Sequence, residues 1–232
     1  MHTLLLRLAG PMQSWGTQSH FRHRDTGLEP SKSGVIGLLC AALGRARTEP
    51  TDDLAALTMG VRVDREGTLQ RDYHTAQDVA GADGKVEPTV LSERFYLADA
   101  DFLVGLAGDD LDLLRRLDAA VRAPRWPLFL GRKAFVPGEP VALPGSGVRE
   151  GMALEEALRS EPWRPLPWGQ RPSHLRVVLE SRDGAEVRQD QPDAGPAFLH
   201  RRFLPRAVLT TFWKLEQEVP ILTEGDDDDR DV

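Results

Sequence analysis

Residues 3–9 (TLLLRLA) are apolar at almost every position, as in a strand buried on both faces, and Gly10-Pro11 ends the run. A polar loop follows to Pro30. Ser31-Lys32-Ser33-Gly34 then opens VIGLLCAALG, apolar on nearly every helical face, which predicts a buried helix stopped by Gly44. Residues 60–65, 70–79 and 86–98 alternate like strands, and Asp83-Gly84 predicts a hairpin between the last two. Residues 101–107 read as another strand. The segment at 109–122 has Leu111, Leu114, Leu117 and Val121 at helical spacing, acids at its start and Pro124 beyond it. PLFLGRKAFVP at 127–137 reads as a final strand. With the hairpin set aside as an insertion, residues 1–137 predict β-α-β-β-α-β, the α+β ferredoxin-like pattern shared by RNA-recognition folds.

From Gly138 the character changes. Prolines and tryptophans crowd 161–172, and a short helix is expected near Met152–Arg159. Residues 174–180 and 185–189 flank Asp183-Gly184 as a second hairpin, and 206–213 predict one more strand. Residues 138–223 are thus expected to form a smaller β-rich second domain. The run EGDDDDRDV at 224–232 repels itself and has little to pack, which predicts disorder.

The charge distribution alters what the total of −7 suggests. The last nine residues carry six acids and one arginine, whereas residues 1–47 set Arg7, Arg22, Arg24, Lys32, Arg45 and Arg47 against Asp25 and Glu29. Residues 198–214 hold four bases and no acid, with Phe198 and Phe203 among them. Such segments suit local binding of a short anionic strand better than coating of a duplex. One cysteine, Cys40, excludes an internal disulfide and a cysteine-zinc cluster. The apolar N-terminus is interrupted by Arg7, and no 18-residue apolar run follows. A cytoplasmic protein without membrane attachment is expected.

Several segments carry candidate chemistry. The helix start at Ser31, Lys32 and Ser33 offers unpaired amides, hydroxyls and a cation to a phosphate, or else a serine cap beside a solvated lysine. A nucleotide-binding P-loop does not fit, because Thr26 and Ser31 stand where glycines are required. Gln13 and Trp15 lie in a loop bounded by Gly10 and Gly16, where an indole stacks on a base or plugs an interface. Arg132 and Lys133 follow Gly131, and Arg201 and Arg206 lie in the basic-aromatic segment. Tyr73, His74 and Lys133 are the residues a metal-independent ribonuclease would use. His20 and His23 lack a carboxylate pattern for metal, and Gly145-Ser146-Gly147 lacks the third glycine of a dinucleotide loop. No cofactor is expected.

Five segments in order, RLAGPMQSWG (7–16), PSKSGVIGLLCAALG (30–44), RDYHTAQDV (71–79), LSERFYLADADFLVGL (91–106) and PLFLGRKAFVP (127–137), resemble the CasD subunit family of type I-E CRISPR Cascade, within the RAMP superfamily. The resemblance implies a ferredoxin-like palm with a thumb hairpin at about 73–95. It also implies a non-catalytic role: binding the 5′ handle of the crRNA at the end of a backbone of CasC subunits, next to the large subunit CasA. The cleft it implies is lined by Gln13, Trp15, Arg24, Ser31, Lys32, Arg132 and Lys133; Ser33, His74, Arg94, Arg201 and Arg206 complete the expected RNA contacts. In a related subtype the equivalent subunit is itself the nuclease, so repeat-specific RNA cleavage is the alternative.

Overall fold

The computed structural model describes residues 1–16, 22–81, 84–164 and 171–215, with the side chains of 87 and 88 excepted. His20, Asp83, much of the Pro/Trp-rich stretch and the acidic run at 224–232 lie outside the described residues.

The architecture is mixed α+β and dominated by sheet. Its strands are β1 (His2–Ala9), β2 (Met12–Gln13), β3 (His23–Arg24), β4 (Thr58–Arg65), β5 (Thr68–Ala80), β6 (Val86–Ala98), β7 (Asp101–Gly108), β8 (Val148–Arg149), β9 (His174–Glu180), β10 (Glu186–Pro192) and β11 (Phe203–Lys214). Helices are α1 (Lys32–Leu43), α2 (Asp52–Ala55), α3 (Leu111–Arg122), α4 (Leu154–Ser160) and α5 (Ala197–His200). Seven strands form one sheet in the order β10-β11-β9-β4-β7-β1-β8.

β1 is apolar throughout because both faces are covered. Leu4, Leu6 and Leu8 enter the larger core with α1 and α3, whereas Leu5 joins Leu103, Leu154, Leu158 and Val177 on the opposite side under α4. Glycines let α4 approach closely: a Cβ at Gly105 would lie 2.6 Å from a Leu154 methyl. The all-round apolarity of α1 has a similar cause, since its residues are enclosed by sheet, Trp15 and neighbouring helices. α3 keeps one apolar stripe of Leu113, Leu114, Leu117 and Val121, and the Asp110 side chain caps it by accepting from the Leu113 amide at 2.9 Å.

β5 and β6 form the hairpin, two strands of 13 residues each, paired from Thr68↔Ala98 to Ala80↔Val86. Much of β5 is exposed. At the base, β6 also takes β2 antiparallel and β3 parallel, so the hairpin belongs to a second, four-stranded sheet.

Three elements differ from expectation. Residues 127–137 are not a strand. Leu130 donates to Phe135, Phe135 donates to Arg132, and Gly131 has φ of +87°, which folds the segment into a compact loop. A Cβ at Gly131 would lie 1.7 Å from the Ser14 carbonyl oxygen, so only glycine permits this approach. The position beside β1 is taken instead by β8 and a bridge between Leu6 and Ala142. Next, β9 and β10 do not pair: β11 lies between them and bonds to both, while the turn at 181–184 steps over it. Finally, the strands expected in a second domain extend the edge of the same sheet through β9 and β4.

Candidate nucleic-acid interface

A cleft of about 760 Å³ runs along α1, from Ser33 near its first turn to Ala41 and Arg45 at its end. Twelve residues of helix correspond to roughly 18 Å of groove. The facing wall is the loop after α3, whose Trp126, Phe129, Arg132 and Lys133 line the space. Two hydrogen bonds fix that loop to the helix: the Arg125 and Trp126 amides donate to the Ala42 and Ala41 carbonyls at 2.9 and 3.1 Å. At the other end the Ser14 amide donates to Leu130. The wall is therefore anchored at both ends by backbone; Leu130 and Phe135 pack into the core, while Trp126, Phe129, Arg132 and Lys133 face the groove.

The cleft's charge is concentrated where the hairpin meets this loop. Arg24 on β3 lies opposite Arg94 on β6 in the parallel pair, and an Arg132 Nη donates to the Arg24 carbonyl at 3.1 Å. Burial, then the Arg94 and Arg24 cations, hold the Arg132 guanidinium below its ordinary proton affinity. Arg94 is lowered likewise, by burial first and then by Arg24. Asp72 and Asp25 offset the repulsion only in part. An incoming phosphate would relieve the repulsion that these carboxylates leave.

Other expected contacts are placed differently. Gln13 is fully buried; its Nε2 donates to the Leu8 and Ala100 carbonyls and its Oε1 accepts from the Trp15 indole at 3.2 Å. Trp15 is 1% exposed and packs on Gly34, so its indole joins core to cleft wall with no stacking face open to solvent. The Ser31 hydroxyl caps α1 by accepting from the Gly34 amide at 3.3 Å. The Lys32 amide donates to Asp190, and its ammonium pairs with Glu180 at 3.0 Å. With Lys32 1% exposed, its side of the first turn of α1 is closed by β9 and β10, and no phosphate reaches that ammonium. Arg206, 6% exposed, is held by Asp190 through two bonds of 2.9 Å.

Ser31, Ser33, Arg24, Arg132 and Lys133 do line the cleft, as does the buried Trp15, and Arg94 adjoins Arg24 at its edge. His74 stands on β5 next to Asp72, 3.4 Å away, on the strand face that also carries Arg94. Arg201 is exposed, away from the cleft lining, while its neighbour Phe198 reaches the groove over Gly37. The basic-aromatic segment thus contributes a ring and no cation. Sequence reading missed Trp126, Phe129 and Arg47 as lining residues. The signal was a tryptophan beside Pro127, next to an arginine, between two apolar runs.

Among the described residues, no group of three His, Cys, Asp or Glu side chains is placed to hold a metal ion, and no helix is long and apolar enough to cross a membrane. Cys40 is buried at the groove floor, and burial pushes its thiol up to about 11, so it stays protonated.

Residues 3–213 match the family model described as CRISPR-associated protein (Cas_Cas5). The chain belongs to the CRISPR-associated Cas5 family. A curated relative, the CRISPR system Cascade subunit CasD of Escherichia coli (strain K12), is 38% identical over 149 residues, 56% of this chain and 65% of that protein's length. Two solved structures resemble this Cas5 protein over most of both chains. One, titled crystal structure of Cas protein, has a TM-score of 0.74 at 47% identity, covering 91% of this chain and 95% of its own. The other, titled CRISPR RNA-guided surveillance complex, has a TM-score of 0.75 at 33% identity, covering 92% and 90%.

The position of Lys32 leads to a test. Burial lowers its proton affinity from the ordinary 10.5, with Glu180 opposing the shift. The unfolded chain therefore holds this proton more tightly, and the residue's contribution to stability grows as pH rises from the depressed value towards 10.5. Lys32→Met is expected to flatten that alkaline rise in thermal melts. It should leave the salt dependence of RNA binding unchanged, whereas loss of a phosphate contact would lower the slope by roughly 0.7.

Proposed function

We propose that this Cas5 protein is a non-catalytic subunit of a type I-E CRISPR surveillance complex that grips the repeat-derived 5′ handle of the guide RNA. The observation that carries the reading is the convergence of Arg24, Arg94 and Arg132 where hairpin, β3 and the 124–135 loop meet. The names of the relatives, a Cascade subunit and an RNA-guided surveillance complex, support it.

In this reading β8-β1-β7-β4 with α1 and α3 is a ferredoxin-like palm, and the β5-β6 hairpin is its thumb. Residues 138–223 are expected to act as a smaller C-terminal unit, whose β9, β10 and β11 widen the sheet and whose Asp190 holds the start of α1. Handle nucleotides lie unstacked in the groove, with phosphates on the arginine trio and Lys133 and bases against its apolar floor. Partners are the CasC backbone, which the subunit caps, and the large subunit CasA, in the cytoplasm.

Binding of labelled handle RNA, measured against salt, tests the reading. With about four phosphates neutralised, affinity should fall roughly fiftyfold for a fourfold rise in salt. A salt-insensitive or undetectable complex would sink it.

The geometry gives the ribonuclease alternative no support. Tyr73 and His74 are adjacent on β5 and project from opposite faces. Stoichiometric protein incubated with precursor RNA in chelator is expected to leave it intact.

A further inference from the structure

We infer that the RNA track continues past the arginine trio along the whole of α1, to a second subsite where Trp126 stacks on a base and Arg47 holds the neighbouring phosphate. This rests on the proposed RNA-binding role of the cleft and adds a position to it.

Trp126 is 44% exposed and lines the same groove as Arg24 and Arg132, at its opposite end. A large indole left in a groove is costly unless something covers it, because its apolar surface stays in water. Its backbone is immobilised: the Trp126 amide donates to Ala41, which also accepts from Gly44, and the preceding amide donates to Ala42 in the last turn of α1. The ring is thus displayed from a rigid base, so a partner stacking on it loses little to ordering the platform.

The cations nearby differ in availability. Arg45 is bidentate on Asp53, at 2.6 and 2.9 Å, and also donates to the Pro50 carbonyl. Arg47 lines the groove, is exposed, and makes no ion pair among the described residues. Between the two ends the floor is Gly37, Leu38 and Ala41, with Phe129 and Phe198 beside them. Cations at both ends and rings along an apolar floor suit a single strand whose bases turn inward.

The experiment uses the full-length protein with two fluorescently labelled single-stranded oligoribonucleotides, the handle sequence and an oligouridylate of equal length. Stacking tolerates any base, so Trp126→Ala should weaken both by roughly tenfold or more. Its salt slope should equal the wild type's, because no charge is lost. Trp126→Phe should restore most of the affinity. Arg47→Ala should lower the slope by roughly 0.7 and weaken both RNAs alike.

Should Trp126→Ala alter folding, the intact variants carry the test. Adding RNA must quench the indole emission of wild type more than that of Trp126→Phe. If Trp126→Ala and Trp126→Phe bind like wild type, with equal quenching, while loss of the arginine trio abolishes binding, the track ends at the trio and this inference is wrong. If loss of the trio also leaves binding intact, the cleft reading itself fails.

Discussion

Replacing Arg24, Arg94 and Arg132 together with alanine should reduce affinity for handle RNA roughly a hundredfold or more at low salt. Each guanidinium offers charge-assisted bonds to phosphate, and such contacts lie at the strong end of hydrogen bonding. The salt dependence is the more telling readout. Removing three of about four neutralised phosphates should reduce the loss for a fourfold rise in salt from roughly fiftyfold to about threefold. The fold should survive, because Arg24 is exposed and Arg94 and Arg132 are half-buried with mutual repulsion to relieve. Filter binding over a salt series, with a thermal melt as control, measures both. An unchanged slope would mean that the trio faces no RNA.

Asp190→Ala should be strongly destabilising. Asp190 is 2% exposed and accepts from the Lys32 amide at 2.8 Å and from two Arg206 nitrogens at 2.9 Å. Its loss leaves a buried guanidinium with only Glu180, 3.8 Å away, and the α1 amide without an acceptor. Breaking one side of a buried ion pair costs about 3–5 kcal/mol. For a chain of this size that lowers the melting temperature by roughly 10 °C. Pairing Asp190→Leu with Arg206→Met should recover much of the loss, since removing both charges avoids stranding either. A melting point within about 2 °C of wild type in Asp190→Ala would refute this account of how β10 holds α1.

These two sites show what local sequence could and could not reveal. The buried strand at 3–9, the apolar helix after Ser31, the alternating arms of the hairpin and the stripe of α3 are all set by nearest neighbours, and each was legible. Lys32 and Arg206 read as surface cations because nothing near them in sequence contradicts that. Their partners Glu180 and Asp190 arrive from up to 158 residues away. The 127–137 loop misread as a strand for a related reason. Its apolar residues fit one, but the positive φ of Gly131 and the Ser14 carbonyl against it are tertiary facts.

The second hairpin failed on topology. Asp183-Gly184 does make a turn, yet no local pattern says that β11 will insert between its arms. Of the candidate contacts, Arg24, Ser31, Ser33, Arg132 and Lys133 line the cleft; the helix-start motif singled out Ser31 and Ser33, and the glycine before Arg132 and Lys133 singled out those two. Gln13 and Trp15 were seen as a pair, but their hydrogen bond turns them inward.

Hydrogen exchange on the protein with and without handle RNA tests the central claim most directly. Amides of 22–26, 86–98 and 124–135 should slow on RNA addition, with 174–180 and 186–192 unaffected. Slowing confined to β9, β10 and β11, with the loop after α3 exchanging as before, would place the RNA elsewhere and contradict the cleft.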